Sequence, residues 1–189
     1  MDDSKSKWNQ KYEDRLVDLR ELPVNNRLMN VTSSLSGGKA LDLACGLGGN
    51  SLYLAKKGFQ LTAYDISDVA IQHLNKFAKK LQLPIEANIS DLTNWNELDF
   101  VNQKFELVVM TYYLDRSLYP IVKSVVKEDG YFFMETYFSF SSLKRRERDI
   151  SERFKLRPQE LLNEFSDWHI LYYEENEEEG RQTIFCRKI

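Results

Sequence analysis

Short apolar runs alternate with amphipathic stretches along the chain, and each alternation predicts a strand followed by a helix. Ala40–Ala44, Leu61–Tyr64 and Ile85–Asn88 are compact runs of strand length. Phe105–Thr111 (FELVVMT) is continuously hydrophobic, the pattern of a strand buried on both faces of a parallel sheet. Tyr131–Thr136 follows an Asp129-Gly130 turn as a fifth strand. Trp168–Tyr173 and Thr183–Arg187, joined by the acidic loop EENEEEG, predict an antiparallel hairpin.

The stretches between are helical in period. Trp8, Tyr12, Leu16 and Leu19 predict one helix or two short ones, followed by a polar connection from Pro23 to Lys39. Ser51–Lys57 reads as a short helix closed by Gly58. Ser67 is a good N-cap for a helix whose stripe is Ala70, Leu74, Phe77, Ala78 and Leu81, and Pro84 ends it. Leu118, Ile121, Val122, Val125 and Val126 form a further stripe, with Pro120 tolerated in the first turn. Pro158 starts a last helix with Leu161, Leu162 and Phe165. The pattern predicts an α/β fold, a doubly wound seven-stranded sheet with helices on both faces. Within one domain, 1–189, residues 1–36 form an N-terminal helical segment and 37–138 a ligand-binding core. Residues 139–157, polar and Ser-rich, read as a lid or excursion, and 158–189 as a helix with the closing hairpin.

Composition narrows the partners. A chain of 189 residues with 42% hydrophobic and 29% charged residues builds its core without disulfide or metal staples. A net charge of -3 argues against nucleic acid, whose binders carry a positive face. Cys45 and Cys186 are too few for a disulfide framework, and with His73 and His169 they lack metal-ligand spacing, so no metal site is expected. No apolar run reaches the roughly 18–20 residues that span a membrane. These features predict a cytoplasmic protein, a monomer or weak homodimer.

Three features fall at carboxyl ends of predicted strands, where doubly wound sheets bind ligands. The first is Asp42–Asn50 (DLACGLGGN), in which Gly46 and Gly48 remove Cβ atoms where the backbone turns sharply and a ligand can lie against it. Asp65 follows at a spacing (46 to 65) that suits a carboxylate accepting both hydroxyl protons of a ribose. Asp91, past the third strand, is placed to accept from an adenine amino group. Together they trace a nucleoside. A dinucleotide needs its pyrophosphate at a helix N-terminus and a third small residue for packing, which here is Ser51. Asp42, inside the first strand, is the discriminator. A buried carboxylate needs a partner, repels a pyrophosphate and attracts an ammonium. That favours S-adenosylmethionine over a nicotinamide dinucleotide. The alternatives are an NAD(P)-binding oxidoreductase and a non-catalytic cofactor-binding module.

The stretches LDLACGLGGNSLYLA (41–55), AYDISDVA (63–70), ISDL (89–92) and 105–137 resemble the class I S-adenosylmethionine-dependent methyltransferases. Trp8-Asn-Gln-Lys-Tyr12 and the ending from Phe154 to Lys188 resemble the small bacterial tellurite-resistance-type members. The resemblance implies a Rossmann-like sheet of order 3-2-1-4-5-7-6 with the seventh strand antiparallel. It implies Asp42, Ala44, Cys45, Gly46, Gly48, Asn50, Asp65, Ile66, Asp91, Leu92 and Thr111 around S-adenosylmethionine, with S-adenosylhomocysteine as product.

Methyl transfer is an in-line displacement that needs alignment above all. Tyr112 and Tyr113, after the fourth strand, are candidate acceptor-side groups, since aromatic faces attract a sulfonium. Trp8 and Tyr12 could close over the donor in the same way, and Arg116 could hold an anionic acceptor. Thr111-Tyr-Tyr-Leu114 departs from the (Asp/Asn)-Pro-Pro-(Tyr/Phe) motif of enzymes that methylate amino groups of nucleic acids. The final hairpin has Glu-Glu-Gly-Arg181 where tellurite methyltransferases carry a His-Arg pair. The acceptor is thus left open between a small molecule and a metalloid oxyanion.

Overall fold

Seven strands join in one sheet of order β3-β2-β1-β4-β5-β7-β6, in a computed structural model that describes residues 2–18, 21–94, 98–139 and 150–189. The chain divides into two compact units, Met1–Asp99 and Phe100–Ile189.

The first unit holds α1 (Asp2–Val17), α2 (Asn26–Val31), β1 (Lys39–Leu43), α3 (Gly49–Lys56), β2 (Gln60–Asp65), α4 (Asp68–Leu81) and β3 (Ile85–Ile89). β2 runs parallel to both β1 and β3, with Leu43 opposite Tyr64 and Asp65 opposite Ile89. The register brings the ends of β1 and β2 level, so the turns after them can share a ligand. Ser67 caps α4 by accepting from Ala70 N–H, as its sequence predicts. The α4 stripe packs Ile71 and Leu74 with Leu52, Ala63 and Ala87. Burying one such aliphatic side chain stabilises the fold by about 1.5–3 kcal/mol.

The second unit holds β4 (Phe105–Thr111), α5 (Tyr119–Val125), β5 (Val126–Tyr137), α6 (Glu160–Glu164), β6 (His169–Asn176) and β7 (Arg181–Arg187). β4 and β5 are parallel, and β7 is antiparallel to both β5 and β6, as expected for the closing hairpin. Phe165 centres the aromatic core, with ring centroids 4.9 Å from Phe132, 5.5 Å from Trp168 and 5.8 Å from Tyr119.

The polar connection expected over Pro23–Lys39 contains a helix, α2. Its three apolar residues, Leu28, Met29 and Val31, span under two turns and are too few for a periodic signal. The cap sets it instead, with Asn25 Oδ1 accepting from Leu28 N–H at 2.9 Å while Leu28 is fully buried. Of the stretch expected as a lid, residues 140–149 lie outside the described residues. Residues 150–157 hold a 3-10 turn (Glu152–Phe154) and the buried Leu156, which bridges to Phe138.

Candidate active site

β1 carries Asp42 into the interior of the first unit, where it is fully buried. Its Oδ2 accepts from the Ser51 hydroxyl at 2.6 Å, and its Oδ1 has no hydrogen-bond partner among the described residues. Burial pushes its carboxyl up to about 7, against the Ser51 hydrogen bond, and the nearby Asp65 charge adds to the rise. An orphaned oxygen on a buried carboxylate has a desolvation cost that a bound cation or donor would offset.

The loop after β1 turns through left-handed backbone at Ala44 (φ 57°), Gly46 (φ 54°) and Gly48 (φ 86°). At Ala44 the conformation costs about 1 kcal/mol, so the turn is enforced by its surroundings. Those surroundings include Cys45 N–H donating to Tyr64 O at 3.0 Å, which ties the loop to the end of β2. Burial pushes the Cys45 thiol up, so it is no thiolate nucleophile. Asn50 Oδ1 accepts from Asn25 N–H at 3.0 Å and anchors the segment before α2.

Asp65 ends β2 and is nearly buried. Its Oδ2 accepts from Gly46 N–H at 2.8 Å and its Oδ1 from Ser67 N–H at 2.9 Å. The Ile66 N–H and the Tyr12 hydroxyl also donate to it. Burial raises its carboxyl, and those donors oppose the rise. Asp91 is half-buried, and its Oδ1 accepts from both Thr93 N–H (3.0 Å) and Thr93 Oγ1 (2.7 Å), an Asx turn beside the buried Leu92. The structure therefore brings Asp42, Ala44, Cys45, Gly46 and Asp65 together at the ends of β1 and β2. Asp91 and Leu92 follow the end of the adjacent strand β3.

In the second unit, Thr111 ends β4 and Tyr112 follows at φ 56°, a left-handed conformation rare for a tyrosine. Its N–H donates to Glu135 O at 2.8 Å and its hydroxyl to Glu135 Oε1 at 2.9 Å. Thr183 Oγ1 donates to Glu135 Oε2 at 3.0 Å. The Arg181 guanidinium lies 4.0 Å from the Tyr137 ring centroid and 5.5 Å from that of Tyr112. Burial and the Glu135 charge push the Tyr112 phenol up to about 12. It is a donor and no base. Tyr113 is half-buried beside it. Arg116 is bound bidentately to Glu160, Nε to Oε1 at 2.6 Å and Nη2 to Oε2 at 2.8 Å, and also donates to Lys155 O at 3.1 Å. Its charge is offset within the fold.

The sequence reading did not include Glu135, Thr183 or Arg181 in the site. The signal for Glu135 was present: one carboxylate in the largely apolar stretch Tyr131–Thr136, as with Asp42 in its strand. Its two hydroxyl partners come from residues far along the chain, which no local pattern marks.

Residues 8–184 match the model of the family described as tellurite resistance protein TehB. A relative named "Probable S-adenosyl-L-methionine-dependent methyltransferase TehB" from Haemophilus influenzae is 27% identical over 167 residues, covering 85% of this chain and 56% of the relative. The chain thus spans little more than half of that protein's length. The crystal structure of TehB from Haemophilus influenzae superposes with a TM-score of 0.78 at 24% identity, covering 95% of this chain and 67% of that one. Magnesium protoporphyrin IX methyltransferase from Synechocystis PCC 6803, crystallised with S-adenosylhomocysteine, superposes with a TM-score of 0.72 at 12% identity, covering 98% of each chain. At such identities the superpositions speak for the fold.

Proposed function

The chain belongs to the family of the tellurite resistance protein TehB, and from that premise we propose that it is a methyltransferase with S-adenosylmethionine as donor. The acceptor in this reading is a small molecule or a metalloid oxyanion, and not nucleic acid. The observation that carries the reading is Asp42, whose buried Oδ1 has no hydrogen-bond partner among the described residues. A pyrophosphate there would meet a buried carboxylate, whereas the ammonium of a methionine end would satisfy it. Gly46 turns through left-handed backbone, and a Cβ there would come within 3.0 Å of the Tyr12 hydroxyl, so the turn beside Asp65 suits glycine. The residues present therefore suit this donor.

When bound, the donor supplies an electrophilic methyl group on positively charged sulfur and leaves as S-adenosylhomocysteine. Asp42, with the Ala44–Cys45 turn and Asn50, would hold the amino-acid end. Asp65 with Ile66 would hold the ribose, and Asp91 with the Leu92 amide the adenine. In the second unit, Thr111 stays a donor-side candidate, and Tyr112 and Tyr113 the acceptor-side candidates, that the sequence offers. The Tyr112 ring, 48% exposed and fixed through its hydroxyl, offers a face rather than a proton acceptor. An anionic acceptor needs no base, so the chain's work is alignment. Arg116, its charge offset by Glu160, ties the segment after β4 to α6 and is not assigned to the acceptor in this reading.

Two free cysteines and the absence, among the described residues, of a helix able to cross a membrane support a place in the cytoplasm. Calorimetry with S-adenosylhomocysteine against NAD tests the donor. Binding of the former is expected, and binding of NAD alone would overturn the reading. A screen with labelled S-adenosylmethionine, selenite and tellurite included, then tests transfer. Tight donor binding without turnover of any acceptor would reduce the chain to a cofactor-binding module.

A further inference from the structure

α1 has sixteen residues, and Tyr12 is its one buried side chain among those described. Tyr12 is 7% exposed and packs with Leu47 and Ala70. Its ring lies across the glycine loop, with Oη 3.0 Å and the ring 3.4 Å from the point a Cβ on Gly46 would take. Its hydroxyl donates to Asp65. The other donors to that carboxylate are the backbone amides of Gly46, Ile66 and Ser67, which belong to the turns after β1 and β2. A carboxylate has about four acceptor sites. Three are held by amides that cannot leave without unmaking the turns. The fourth is held by a side chain on a separate helix.

From this arrangement we infer that Tyr12 is a latch on the donor site, its hydroxyl standing on Asp65 where a ribose hydroxyl of the donor has to bind. The inference rests on the donor reading above and adds a step to it, since α1 has to give up Asp65 before the donor enters. The remaining attachments of α1 suit a part that releases. Asn9 Oδ1 accepts from Ser67 Oγ at 2.6 Å, Lys5 pairs with Asp68 at 2.6 Å across an exposed surface, and the half-buried Trp8 stacks on Tyr12 at 5.7 Å. A helix held by one buried residue, the partly buried Trp8 and Leu16 and two polar contacts opens at far lower cost than the strands of the sheet. The ring also shields Asp65 from water while the site waits, which limits the desolvation change when the donor arrives.

The test is rapid-mixing kinetics of S-adenosylhomocysteine binding, followed by the fluorescence of Trp8 beside the latch. In the native protein the observed rate should level off with ligand concentration, because release of Tyr12 comes first. Tyr12→Phe keeps the ring packing and removes the bond to Asp65, so its plateau should rise by roughly tenfold, as expected for one charge-assisted hydrogen bond. Asn9→Ala, which loosens α1 without touching Asp65, should raise it less. A rate linear in concentration and equal in all three proteins would overturn the latch while leaving the donor assignment intact. Absence of binding in all three, with each folded by circular dichroism, would overturn the donor assignment and the latch with it.

Discussion

Asp42 accepts from the Ser51 hydroxyl at 2.6 Å through Oδ2, while its equally buried Oδ1 has no partner among the described residues. Half of the carboxylate is satisfied by the fold, and the other half is the part that the proposed reading gives to the donor's ammonium. Burial without that ligand pushes the group up to about 7. Below that pH, binding of an ammonium has to drive off a proton. The affinity for S-adenosylhomocysteine should therefore fall about tenfold per pH unit below 7 and level off above it. Asp42→Asn should bind weakly with no such slope. In the ligand-free protein the sign is the reverse. The folded value lies above the ordinary carboxylate range, so the contribution to stability is full at low pH and is lost as pH rises to about 7. Calorimetry and urea midpoints across that range check both slopes.

Asp65 ties two turns and, in the proposed reading, holds the ribose, so its loss is readable in two ways. Asp65→Ala should weaken S-adenosylhomocysteine binding by about 1.5–3 kcal/mol, the worth of charge-assisted contacts. It should also lower the melting temperature, because Gly46 and Ser67 amides lose their acceptor. An unchanged dissociation constant in a folded variant would remove Asp65 from the ribose.

Asp42, Gly46 and Asp65 were legible in the sequence because each breaks a local pattern: a charge inside an apolar strand, a glycine at a strand end, a charge that stops the next strand. The strand order followed from apolar runs and one resemblance. Tyr12 was legible as a helical position and as a ring that could close over the donor, whereas its bond to Asp65 was not, since what it faces depends on how α1 meets α4. Glu135 stood out as a charge in an apolar run, but its pairing was hidden because its hydroxyl partners lie 23 and 48 residues away. α2 was hidden because a cap, and not a stripe, makes it.

The turn into α3 is tight enough to be tested by one methyl group. A Cβ on Gly48 would be driven into the side chain of Leu74, which is fully buried, and would sit on left-handed backbone at φ 86°. A Cβ on Gly49 would meet the Pro23 carbonyl oxygen. Gly48→Ala and Gly49→Ala should each destabilise by roughly 1–3 kcal/mol through overpacking, Gly48→Ala adding backbone strain. Thermal denaturation decides, and a variant within 0.5 kcal/mol of the native protein, about the noise of a surface substitution, would show that the loop yields.

Tyr112 and Glu135 should behave as one unit. The tyrosine holds a left-handed backbone, and both of its donors, N–H and hydroxyl, go to Glu135. Tyr112→Phe removes one of two hydroxyl donors from a carboxylate that is 1% exposed, so it should destabilise by about 1–3 kcal/mol. Glu135→Gln should do likewise, because the amide accepts through one oxygen only. The double variant should lose less than the sum, with a coupling of about 0.5–3 kcal/mol. Tyr112→Phe keeps the ring, and neither residue is assigned a contact with the donor, so the affinity for S-adenosylhomocysteine should stay within about twofold. Additive losses would show that the hydroxyl bond is incidental and would leave the strain at Tyr112 to the backbone bond alone. Additivity together with lost S-adenosylhomocysteine binding would place Tyr112 on the donor instead.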